Sequence, residues 1–261
     1  MVSARRASFG GIATAAALLA AVAAGFAAPA NAAPAWLKNV LSGGHGDDGR
    51  TTPPPAVARY QIEQGEGFVL DLADRPPLLK FDNSPEIWAL KASHGPRGDL
   101  LYINDIGELM VRSTKLGGMT VYTTDRPEGA AAAVVGPAPA FRPKLSPPAA
   151  FDERLVIAAA RCSHAARHTV GMATSDKEMR DAKAEAIIAD ATTNVVEALT
   201  TLPYHPGGRL ALGRIGMVMF NVARAPNVDL QHGILSIDVV PSQGFAGRPS
   251  SARILLAIGP P

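Results

Sequence analysis

The sequence predicts an α+β protein: an antiparallel β region of meander or sandwich-like character, then a smaller α+β region of helices, a small antiparallel sheet and a terminal helix. Three observations predict it. Short β-like runs separated by turn residues fill 57–135, a Pro-rich segment interrupts the pattern near 137–149, and helical periodicity follows. The organising stretch is 97–124. Leu100 to Ile103 run into Asn104-Asp105-Ile106-Gly107, a cluster that tolerates left-handed backbone and therefore reads as a hairpin turn. A return strand over 108–114 is reversed again at Leu116-Gly117-Gly118 into Met119 to Thr124, where Val121, Tyr122 and the threonines suit a pleated, half-buried surface.

In chain order, the first segment is a leader. Arg5 and Arg6 precede an Ala-rich apolar run over about 9–28, and Ala30-Asn31-Ala32 supplies the small residues of a cleavage site. The expectation is a signal peptide over 1–32, contact with the membrane only through it before cleavage, and a periplasmic or secreted product. Cleavage after Ala32 removes two arginines and no acid, so 25 basic residues become 23 against 23 acidic. The mature chain is then formally neutral and has no Lys/Arg run, which argues against a nucleic-acid partner. Residues 33–56, with Gly43 to Gly49 and Pro53-Pro54-Pro55, carry too little apolar surface to offset ordering and read as a flexible linker.

The β region spans 57–136. Its expected strands are 57–63, 67–72, 78–83 and 86–92, the three of the central stretch, and a last edge strand at 130–135. Residues 137–149 form the Pro-rich connector. In the α+β region, 150–261, a helix over 151–170 is expected to bury Leu155, Ala159, Cys162 and Ala166. A second helix is expected to start at the capping box Ser175-Asp176-Lys177-Glu178 and to stop at Pro203. A helical turn at 209–212, buried strands at 215–222 and 234–240 with 228–230 between them, and a short helix near 250–258 capped by Ser250 or Ser251, with a strand as the alternative for its apolar run, complete the chain.

With both halves in view, the chain resembles a family of exported bacterial proteins known only as a domain of unknown function. The resemblance covers roughly 57–259. It rests on Asp99, Tyr102, Asn104-Asp105, Gly107, Arg112, Leu116-Gly117-Gly118 and Arg126-Pro127, and on Ala246-Gly247-Arg248-Pro249-Ser250-Ser251. It implies no activity, cofactor or catalytic residue.

Reactive constellations are scarce. His164 and His168 have the four-residue spacing of two zinc ligands on one helix face, but Ala165, Ala166 and Arg167 stand between them and Arg161 opposes a divalent cation. No metal and no cofactor is expected. The single cysteine, Cys162, cannot form an internal disulfide and reads as a small buried hydrophobe. Ser163 beside His164 is adjacency only, no G-x-S-x-G elbow is present, and Gly208 to Gly213 lacks the Lys-Ser/Thr ending of a phosphate loop. Asp71, Asp74, Asp82, Asp99, Asp105 and Glu108 fall at strand ends or turns, where carboxylates bond local backbone.

The polar groups singled out for binding are Arg97, Asp99, Asn104, Asp105 and Arg112, with an ion pair from Arg97 or Asp99 to Arg112 or Thr114 expected across the hairpin. No catalytic residue is assigned. The functional expectation leans away from an enzyme, toward binding or assembly with an envelope protein or ligand. The alternative is a hydrolase acting on envelope glycans or peptides, with its site between the two regions.

Overall fold

Alternating side chains and glycine turns build the first half. The computed structural model describes residues 55–73, 75–175 and 181–259. The expected leader, and the expected linker apart from Pro55 and Ala56, lie outside them. All described residues fall in one compact unit. Nine strands follow one another: β1 (Val57–Ile62), β2 (Gly67–Asp71), β3 (Leu78–Phe81), β4 (Trp88–Ala89), β5 (Lys91–His94), β6 (Leu100–Ile103), β7 (Leu109–Ser113), β8 (Met119–Thr123) and β9 (Arg126–Pro137). In β1, Ala58, Tyr60 and Ile62 point inward while Arg59 and Gln61 point to water, the period of two that a one-sided sheet demands. The reversals after β6 and β7 rest on Gly107 and Gly117, both at φ above +80°.

The strand order is β4-β3-β2-β1-β9-β8-β7-β6-β5, antiparallel throughout. The two edges, β4 and β5, are consecutive in the chain and separated by Leu90 alone. Laid flat, nine strands would hold their edges roughly 35–40 Å apart, far beyond the reach of one residue. The sheet therefore curls on itself into a near-barrel. The expected strand 86–92 is thus two strands bent at Leu90, whose amide still bonds Pro77 O at 2.8 Å.

Residues 130–135 are not an edge strand. They form the middle of the twelve-residue β9, which joins β8 to β1 and closes the meander. Its alanines carry little apolar area, although Ala130 and Ala132 pack on the barrel core. That core is built on Tyr60 stacked against Phe68 (centroids 5.1 Å apart) and on Phe68 against Phe81 (5.9 Å), with Leu70, Leu79, Leu90, Val111 and Val121 around them.

The connector runs back along the barrel: Ala138 N–H donates to Val57 O and Phe141 N–H to the buried Asp71 carboxylate, each at 3.0 Å. Helix α1 (Pro148–Ala166) follows and ends at Arg167 in the left-handed conformation. It buries Phe151, Leu155, Ala158 and Cys162, so the stripe is shifted from the one expected and the helix is four residues shorter at its end. Strand β10 (Gly171–Thr174) then appears where no strand was expected. Helix α2 (Ala182–Thr201) is capped by Asp181, whose Oδ1 accepts from Ala184 N–H at 2.7 Å. The expected box begins at Ser175, which instead ends β10 by donating its N–H to Phe220 O; residues 176–178 lie outside the described residues.

Helix α3 (Gly208–Leu212), strands β11 (Met217–Val222), β12 (Asn227–Gln231) and β13 (Ile234–Val239), and helix α4 (Ser251–Ile258) complete the layer. The small sheet has the order β10-β11-β13-β12 and is mixed, not antiparallel. Strands β10, β11 and β13 are mutually parallel, and only β12 against β13 is antiparallel. The reason is connectivity: α2 and α3 carry the chain back between β10 and β11, and β13 inserts between β11 and β12. The α+β class itself holds, and this layer has its own core, distinct from that of the barrel.

Phe68, fully buried at the centre of the ring stack, sets the stability of the barrel. Phe68→Ala is expected to cost about 3–5 kcal/mol in urea unfolding, whereas Leu116→Ser, at a site 94% exposed, changes stability by less than about 0.5 kcal/mol. Equal effects of the two substitutions would contradict the packing described.

Candidate functional site

The site grows from the 104–107 turn. Asn104 is buried, and its Oδ1 accepts from Ile106 N–H at 3.2 Å and Glu108 N–H at 2.8 Å, while its Nδ2 donates to the Glu108 carboxylate at 3.0 Å. The turn is thereby locked from inside, and Asp105 faces the segment that opens α4. Asp105 Oδ2 accepts from Ser250 N–H at 2.9 Å and Oδ1 from the Ser250 hydroxyl at 2.5 Å. The same hydroxyl accepts from Arg253 N–H at 3.0 Å, the N-cap expected for a serine here.

A second barrel carboxylate does the same one residue on. Glu86 Oε1 accepts from Ser251 N–H at 2.9 Å and Oε2 from the Ser251 hydroxyl. Two amides at the start of α4, which have no partner inside the helix, are thus satisfied by acids from the barrel. Glu86 is 1% exposed. Burial pushes its carboxyl up to about 7, against the opposing pull of Ser251 and the Arg248 charge.

Arg248 anchors the same segment to the helical layer. It is buried, its Nε donates to Asp190 on α2, a guanidinium N–H donates to Ile87 O at 2.6 Å, and it lies over the Phe245 ring at 5.7 Å. Asn194 Nδ2 on α2 donates to Pro249 O at 2.9 Å. A Cβ on Gly247 would sit 2.0 Å from Val240 O, so only glycine lets the chain pass there. Above this interlock opens a cavity of about 850 Å³, walled by Leu72, Leu90, Tyr102, Asn104, Asp105 and Ser250, with Arg75 and Lys91 among its lining residues.

The five residues singled out in the sequence do not form one cluster. Asn104 and Asp105 line the cavity, but Asp99 and Arg112 pair at the other end of β6, with Arg112 Nε donating to Asp99 Oδ2 at 2.7 Å. The hydrogen bond it donates to Asp99 also raises the Arg112 pKa. Arg97, exposed and at φ 60°, has no hydrogen-bond partner among the described residues. Glu86, Asp190 and Asn194 were not singled out. Glu86 sat in an expected strand, and the other two sat on a helix face with no motif to mark them.

Apart from His164, which is exposed, the remaining reactive groups among the described residues are occupied by structure. His168 lies beyond the end of α1, not on its face with His164, and its two ring nitrogens face Ala166 O and Ile215 O at 3.1 and 2.8 Å. Among the described residues no group of three His, Cys, Asp or Glu side chains converges as a metal site. Ser163 Oγ accepts from Val170 N–H, and burial pushes the Cys162 thiol up to about 12. Asp71 holds the backbone of Ala73 and Phe141, and Asp82 pairs with Arg59; Asp74 lies outside the described residues. Gly208–Leu212 is helix rather than loop, and a Cβ on Gly208 would meet Leu202 O at 1.8 Å.

Compared with models of known families, residues 37–258 match the one described as "Domain of unknown function (DUF4908)". The chain belongs to that family. No curated protein and no solved structure matches it. The DUF4908 match takes in the barrel, the helical layer and both sides of the interlock, and begins twenty residues before the stretch in which the resemblance was expected.

Glu86 makes the interlock pH-sensitive in a defined direction. Its folded pKa lies above the unfolded value of 4.5, so its contribution is fully present below pH 4.5 and is lost as pH rises toward 7. The loss amounts to about 3 kcal/mol. Glu86→Gln keeps an acceptor for Ser251 N–H and does not titrate, so its stability relative to the wild type is expected to rise steadily between pH 4.5 and 7 in urea unfolding. A pH-independent difference would contradict this assignment.

Proposed function

We propose that this DUF4908 protein is an exported envelope protein, periplasmic or secreted, with a non-catalytic binding or assembly role, and that it binds its ligand in the cavity between the barrel and the 246–250 segment. Export is supported by the order of charged, apolar and small residues in the first 32 positions. Binding is supported chiefly by one observation: the acids and hydroxyls at this junction are committed to the fold. Both oxygens of Asp105 accept from Ser250, both of Glu86 from Ser251, and the Ser250 hydroxyl both donates and accepts. A hydrolase acting here would need an acid or hydroxyl both free and within reach of the cavity. Asp105 and Ser250 are bonded to each other, and Glu86, although it takes up a proton near neutral pH, is buried and does not line the cavity.

What remains for a ligand is apolar wall from Leu72, Leu90, Pro76 and Pro77, the Tyr102 ring, and the cations Arg75 and Lys91, which have no ion-pair partner among the described residues. Concave, mainly apolar surface with a few polar groups is the usual form of a small-molecule site. The ligand class this lining fits is an apolar body ending in an acidic group.

The reading is tested in cells. The mature chain is expected in the periplasmic fraction or the medium with Ala33 at its N-terminus. A photo-crosslinking residue at Ala92, on the cavity lining, is expected to give a reproducible adduct absent when the same group replaces Asp229 on β12. Full-length chain in the cytosol, or identical adducts from both positions, would overturn the proposal.

A further inference from the structure

A second concavity, of about 620 Å³, lies in the helical layer, lined by residues of α1, of the end of α2, of the 202–204 turn and of α3. Its chemistry differs from that of the first. Arg161, His164, Arg167 and Arg209 all line it, and no carboxylate does. All four are exposed, and among the described residues none of these side chains makes a hydrogen bond or ion pair. The three guanidinium charges gathered here without counter-charge repel one another, so the cleft as built favours an anion.

The end of α1 accounts for part of this, since cations in a last helical turn are favoured by the helix dipole. It covers Arg167 at that end, but not Arg161, which lies before the last turn, nor Arg209, which another helix brings to the same cleft. Arg167 occupies the left-handed position that ends α1, at φ 59°, where glycine is the unstrained choice. Keeping a guanidinium there costs the backbone and places a further cation on the cleft. Thr200 adds a hydroxyl to the lining, although its hydrogen is engaged with Val196 O at 2.7 Å. At the lip stand two exposed apolar groups, Ile157 at 53% and Tyr204 at 87%.

We propose that this cleft binds a phosphate group borne by a molecule with an apolar portion. The forked N–H groups of arginine match phosphate oxygens two at a time, and three such forks around one concavity favour a group with several anionic oxygens over a single carboxylate. Ile157 and Tyr204 would cover the part of the ligand next to the phosphate. The site is separate from the cavity at the barrel and does not depend on what that cavity holds. The phosphate can come from a soluble ester or from a lipid headgroup, and the test distinguishes the two.

Purified protein is titrated with pyrophosphate by calorimetry, and in a second arm is sedimented with vesicles of phosphatidylglycerol or of phosphatidylcholine. The wild type is compared with an Arg161→Gln/Arg209→Gln double variant and with Arg224→Gln, which removes one exposed arginine that does not line the cleft. Circular dichroism confirms that each variant folds. The expected result is binding in one arm at least, weakened by about tenfold or more in the double variant and unchanged in Arg224→Gln. Pyrophosphate binding without sedimentation identifies a soluble source; sedimentation with phosphatidylglycerol vesicles, with or without pyrophosphate binding, identifies the lipid. Absence of binding in both arms, or binding that the double variant retains, would overturn the proposal.

Discussion

The structure depends on the start of one short helix being held by acids from another part of the chain. Ser250 and Ser251 present two backbone amides and two hydroxyls at the head of α4, and Asp105 and Glu86, 145 and 165 residues earlier, accept all four. A buried carboxylate is costly unless its oxygens are bonded, and the first amides of a helix lack partners unless something outside supplies them. Each side settles the other's deficit. Arg248 adds a buried cation tied to Asp190, which keeps the segment from leaving the helical layer when it meets the barrel.

The closure of the barrel is what places that contact. The acids that hold α4 lie on either side of the break at Leu90: Glu86 just before β4, Asp105 just after β6. Curling the nine-stranded sheet until its two edges become neighbours in sequence is also what brings these acids to one place. The opening left beside them is the larger cavity, lined by barrel residues and by Ala246, Arg248 and Ser250.

The hairpins from 100 to 123 were legible because turn glycines and alternating side chains are local signals, and Ser250 was legible as a cap for the same reason. β9 was misplaced because a run of alanines does not distinguish a central strand from an edge: its partners, not its own side chains, make it central. β10 was missed because four residues next to a helix carry no period, and its parallel partner lies more than forty residues further on. The site was half visible. Asp105 and the 246–251 motif each stood out as turn and cap chemistry, yet nothing in a linear sequence says that one receives the other, and Glu86 has no local mark at all.

If the acids and the head of α4 bind barrel and helical layer into one cooperative structure, the two must unfold together. Trp88, half-buried on β4, reports on the barrel, and helical circular dichroism reports on the other layer. In a Trp36→Phe background, urea unfolding followed by Trp88 fluorescence and by circular dichroism is predicted to give one coincident transition. Loss of the helical signal while Trp88 keeps its native emission would contradict the account.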